Sequence, residues 1–106
     1  MSENIKDQQD LKLILSSVRA LWGEITPSLR SVSTELHDSK IIWQCIFDAN
    51  ATDNDFELLS SAATEVIADF KDYELEEIIK KVPFPDKMNH LKNLIYLRHE
   101  KNYYKE

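Results

Sequence analysis

Between Thr52 and Phe70 the chain reads TDNDFELLSSAATEVIADF, and no other stretch restricts its folding so tightly. Phe56, Leu59, Ala63, Val66, Ile67 and Phe70 recur at the three- and four-residue steps of one helix face. Thr52 has the hydroxyl of a good N-cap. Asp53, Asp55 and Glu57 crowd the first turn, where the helix dipole favours negative charge. The opposite face carries Glu65 and Asp69 one turn apart, like charges that repel by about a few tenths of a kcal/mol and find no cation within the helix. Such a helix has an apolar side that needs a sheet and an acidic side that does not. Burying the apolar side contributes on the order of 10 kcal/mol gross, an upper bound because an unfolded chain already hides part of that area.

The flanking segments supply the sheet. Ile41 to Asp48, IIWQCIFD, is rich in β-branched and aromatic residues. Alternation puts Ile41, Trp43, Cys45 and Phe47 on a face that meets the helices. Ile42, Gln44, Ile46 and Asp48 fall on the other, whose apolar members ask for partial cover. Leu29 to Leu36 sets Val32 and Leu36 against Ser31 and Ser33, the pattern of an edge or half-exposed strand. His37-Asp38-Ser39-Lys40, which lacks Asn-Gly, predicts a four-residue connection built on a type I turn. Tyr73 to Val82, YELEEIIKKV, favours a helix by propensity. Its place after a helix and before Pro83-Phe84-Pro85 predicts a strand instead. Leu94 to His99 is a further β-rich run.

Ahead of these, residues 7–22 read as a helix whose stripe Leu11, Ile14, Leu15, Val18 and Trp22 should face the core, with Gly23 ending it in a left-handed conformation. Trp43, Phe47, Phe56, Phe70 and Tyr73 read as core; Tyr96 stands apart because its polar tip suits an interface. The charged tail from Glu100 to Glu106 is expected to fray, leaving Tyr103 and Tyr104 as possible anchors. The order αββαββ predicts one α+β domain over 1–106: a four-stranded antiparallel sheet with two helices packed on one face.

Several function classes are disfavoured. With a single glycine the chain has no phosphate-cradling loop, and it carries no GxSxG, GxGxxG or CxxC. His37, His90 and His99 are scattered, without a second ligand at metal spacing. Cys45 is the lone cysteine and sits in an apolar run, as a buried small hydrophobe would. No catalytic residue, cofactor or metal site is therefore expected. The polar opening MSENIKDQQD predicts no signal peptide, no apolar run reaches the length of a membrane span, and a cytoplasmic protein, monomeric or weakly dimeric, is expected.

Charge is more informative. The formal net charge is −6, yet residues 48–77 hold ten acids and one base, whereas 78–106 are net positive. An acidic middle third repels nucleic acid and anionic lipid and attracts a basic partner. Glu65, Asp69, Asp72, Glu74 and Glu76 are the candidate contact residues. Glu65 and Asp69 could share a hard cation, but further oxygen ligands are missing. Three readings compete: a module docking on a basic protein, an acidic nucleic-acid mimic regulating a host nucleic-acid-binding enzyme, and a small hydrolase, which the missing motifs argue against.

ALWGEITPSLRSVS (20–33), IIWQCIFDA (41–49), SSAATEVIADF (60–70) and LIYLRHE (94–100), in this order and at these spacings, resemble the small immunity proteins of bacterial contact-dependent growth inhibition and related polymorphic toxin systems, the CdiI-type family. The resemblance covers about Leu15 to Glu100. TEVIADF and YLRHE are its most specific parts, and Trp22 departs from the Leu-Leu-Gly more usual at that turn. It implies a non-enzymatic protein that binds the C-terminal toxin domain of a partner effector, commonly a nuclease, in the cytosol. The acidic third fits this independently, since a nuclease carries a basic cleft for its phosphate substrate.

Overall fold

The computed structural model describes residues 2–100. Tyr103 and Tyr104 lie outside the described residues. The elements are α1 (Ser2–Ala20), β1 (Leu29–His37), β2 (Lys40–Phe47), α2 (Asp53–Ala68), β3 (Glu74–Lys81) and β4 (Asn93–Leu97). The αββαββ order is the one the sequence predicts, and residues 74–81 are indeed a strand.

α2 begins as its sequence dictates. Thr52 is extended (φ −112°), its hydroxyl accepts the Asp55 amide at 3.4 Å, and the Asp55 carboxylate accepts the Thr52 amide at 2.8 Å. The same carboxylate accepts Thr26 Oγ1 and Ser28 Oγ, each at 2.9 Å, so the helix cap also holds the turn before β1. Asp55→Ala removes the three carboxylate bonds and leaves the Asp55 amide on the Thr52 hydroxyl, and an expected loss of about 1–2 kcal/mol should show as a lowered urea midpoint. A midpoint equal to wild type would mean that solvent replaces the cap without cost.

The sheet is mixed rather than antiparallel, in the order β3-β2-β1-β4. β1 pairs antiparallel with β2 and β4, but β2 and β3 are parallel, with Lys40 opposite Glu74 and Phe47 opposite Lys81. The cause lies in α2. Sixteen helical residues climb about 24 Å, close to the length of an eight-residue strand. The helix therefore returns the chain to the end where β2 began, and the next strand runs alongside it. β3 is thus an edge, guarded by Glu74, Glu76 and Glu77 along its first half and by Lys80 and Lys81 at its end.

Both helices cover one face. Leu13, Ala20 and Leu21 from the α1 region and Leu59, Ala62, Ala63 and Val66 from α2 pack with Ile41, Trp43, Cys45 and Phe47 of β2. The face of α1 turned inward is not the predicted one. Leu13, Ser16, Ser17 and Ala20 are buried, whereas Leu11, Leu15, Val18 and Trp22 are exposed, Trp22 by 72%. Two stripes of helical period compete on α1. The one with small residues wins because Ser16, Ser17 and Ala20 let α1 lie close against α2, and Ser16 Oγ donates to Asp69 at 2.7 Å.

β1 is central and buried, not an edge. On the face beneath the segment linking β3 to β4, Ser33 Oγ accepts the Leu91 amide at 3.0 Å and Gln44 of β2 donates to Asn89 O at 2.9 Å, whereas the buried Thr34 hydroxyl has no partner among the described residues. That segment also buries Ile46 and Met88, the far-side cover that the strand alternation asked for. The β1–β2 turn has two residues, not four, and Asp38 takes the left-handed φ of 56° that Asn or Gly would otherwise supply. Gly23 takes φ 80°, as expected after α1.

Candidate functional site

α2 ends without a basic residue in its last turn, so its C-terminal carbonyls, Glu65 and Asp69 place partial and full negative charge at one spot. Across from them α1 presents Arg19. The two helices leave a groove of about 400 Å3 whose floor is small, Ser16, Ala20 and Ala68, and whose rim is Arg19, Glu65 and Asp69. Arg19 Nη2 stands 3.7 Å from Asp69, a loose pair with both side chains about half exposed or more. Such a pair contributes under about 1 kcal/mol. Asp69 thus has a cation from α1, which the helix alone did not offer. No ion pair of Glu65 occurs among the described residues.

The five candidate acids do not form one face. Glu65 and Asp69 line the helical groove. Asp72 is exposed in the turn after α2, at φ 71°. Glu74 and Glu76 are exposed on β3, in the phase opposite Leu75 and Glu77, which turn toward the helices. Glu76 is met by Lys40 Nζ at 3.3 Å. The acidity therefore wraps the β3 edge of the molecule from the helical layer to the back of the sheet.

Sequence reasoning missed two features. The first is the exposed α1 stripe. Its sequence held no signal, since with Ile14 the stripe has the i, i+3, i+4, i+7 spacing of an ordinary core face. The second is an ion network behind the sheet. Between Leu29, opposite Phe47, and Ser31, opposite Ile46, the register slips, and Arg30 is the extra residue. The bulge turns its fully buried guanidinium under the β3–β4 segment, where it donates to Val82 O at 2.6 Å and Asp86 O at 3.0 Å. Its fork closes on Glu100 at 2.7 and 2.8 Å. Glu100 is thus anchored rather than frayed. Arg98 continues the network, to Glu100 at 3.0 Å, Asp48 at 2.9 Å and Pro27 O at 2.8 Å.

These contacts set the titration. The hydrogen bond from Arg98 holds the Asp48 carboxyl down at about 2, and the Arg30 fork holds Glu100 below the usual carboxylate range. Both folded values lie under the unfolded ones, near 4. The stability they contribute is complete above that value and disappears as pH falls toward the folded values. Urea midpoints are expected to be level from about pH 7 to 5 and to drop between about pH 4 and 2. A midpoint unchanged down to about pH 3 would contradict this role of the network.

Little here suits bond-breaking chemistry. Ser31 Oγ lies 3.3 Å from His90 Nδ1, but Ser31 is fully buried, and burial, with Arg30 nearby, pushes the imidazole below its ordinary value. Cys45 is buried on the helix side, and burial pushes its thiol far up. Among the described residues no three His, Cys, Asp or Glu come together to hold a metal, and no helix is long and apolar enough to cross a membrane. The accessible features are surfaces: an apolar stripe, a charged groove and an acidic edge. A family model of the MafI2 immunity protein matches residues 10–100. No curated protein matches the chain.

Proposed function

The chain belongs to the MafI2 immunity protein family, and from that membership we propose that it acts without catalysis, binding and neutralising the C-terminal toxin domain of a cognate contact-dependent growth inhibition effector, a nuclease, in the cytoplasm. The family supplies the toxin partner. The observation that favours a nuclease is the segregation of charge, ten acids against one base over residues 48–77. A nuclease surface is basic where it meets phosphate, and it is drawn to such a field at long range.

In this reading Glu65, Asp69, Asp72, Glu74 and Glu76 are the toxin-binding acids, in two roles. Glu65 and Asp69, beside the groove, contact the toxin. Asp72, Glu74 and Glu76 extend the field around the β3 edge and speed encounter. No cofactor, metal or nucleic acid takes part. The test is co-purification with the C-terminal domain of the effector whose gene adjoins this one, followed by a nuclease assay of that domain with and without this protein. Stoichiometric capture with loss of nuclease activity is expected. Capture of a domain that cleaves no nucleic acid would retain the immunity role and remove the nuclease, and failure to capture it would remove both.

A further inference from the structure

α1 carries an apolar seam that stays exposed among the described residues. Leu11, Leu15 and Val18 are 55, 56 and 39% exposed, and Trp22, on the following turn, is 72% exposed. The side chains share one face at four-three-four spacing, the repeat of a helix that receives another helix along its length. Their large apolar groups lie contiguous over about three turns, and patches of that kind mark interaction sites. Beside the seam runs the α1–α2 groove with its acidic rim and small-residue floor.

We propose that this helical layer is the toxin's docking face: the seam receives an amphipathic helix of the toxin domain, and the adjacent groove receives one of its lysine or arginine side chains between Glu65 and Asp69. The inference rests on the immunity reading above. Charge selects a foreign occupant over a second copy. The groove lies at the negative end of α2 and asks for a cation. On that flank Lys12 Nζ lies over the Phe70 ring at 4.7 Å and Arg19 pairs only loosely with Asp69, and none of the described cations forms an ion pair with Glu65. Two copies, each of net charge −6, would also repel. Ser16, Ala20 and Ala68 leave room for a long side chain to lie in the groove and displace Arg19 from its loose pair. Trp22, at the end of the seam, is the residue type that most often carries interface energy.

The experiment measures the affinity of the recombinant C-terminal domain of the adjoining effector for wild type, Leu15→Glu, Trp22→Ala and Leu94→Ser. Leu94 is exposed on β4 and opposes Ser33, whose hydroxyl faces the back of the sheet. The substituted side chains are all exposed, and circular dichroism confirms the fold of each variant. Leu15→Glu and Trp22→Ala are expected to weaken binding on the order of 30-fold or more, and Leu94→Ser to leave it within about threefold. Hydrogen exchange of wild type with the toxin domain should show new protection over residues 11–22. If wild type does not bind the domain, the immunity reading fails and takes this inference with it. If wild type binds and both seam variants bind equally well, the immunity reading stands and the docking face is wrong. A wild-type dimer in sedimentation that Leu15→Glu dissolves, with toxin affinity unchanged, overturns it too and assigns the seam to a second copy.

Discussion

Glu100→Ala is expected to lower the stability of the protein by about 3–5 kcal/mol, the cost of leaving a buried charge without its partner. The charge is Arg30, fully buried, with two of its nitrogens on the Glu100 carboxylate. Removing the carboxylate leaves Arg30 its carbonyl acceptors, Val82 O and Asp86 O, which satisfy hydrogen bonds but do not neutralise a cation. Arg98 loses an acceptor as well and keeps Asp48 and Pro27. Glu100→Gln keeps the shape and drops the charge, so it should cost less than alanine. Urea denaturation of the three proteins at pH 7 measures this. A loss under about 1 kcal/mol for alanine would mean that Glu100 is solvated, as its place in a charged tail suggested.

Charge reversal at the groove should have the largest effect on binding. Glu65→Lys with Asp69→Lys puts two cations where the toxin is expected to deliver its own, and like charges at an interface cost several kcal/mol. Protection by this double variant should be lost. Asp69 is also a structural residue, since its carboxylate accepts Ser16 Oγ at 2.7 Å and faces Arg19. Glu65→Lys alone separates the two roles because Glu65 makes no such contact. It should weaken toxin binding by about 2 kcal/mol in dilute buffer and by clearly less at 0.5 M salt, with melting unchanged. Affinity equal to wild type at both salts would confine the acids to solubility.

The residues that could be read from the chain and those that could not differ in the range of the forces involved. Thr52 and Asp55 cap α2 through atoms three residues apart, Gly23 takes its left-handed turn alone, and the alternation of Ile41, Trp43, Cys45 and Phe47 follows from the pleat. Local chemistry suffices for these, and it specified helix, strand and their order. It could not choose between the two stripes of α1, because both have helical period. The larger, more apolar one looked like the core, and close helix packing gave that place to Ser16, Ser17 and Ala20. Nor could it see that α2 is a crossover of strand length, which makes β2 and β3 parallel and splits Glu74 and Glu76 from Glu65 and Asp69. Arg30 and Glu100 lie seventy residues apart, and a bulge in β1 decides that they meet. The sequence by itself determined the elements, their caps and the acidic middle third. Only the tertiary structure decided which faces were left for a partner, because burial belongs to the packed whole and to no single segment.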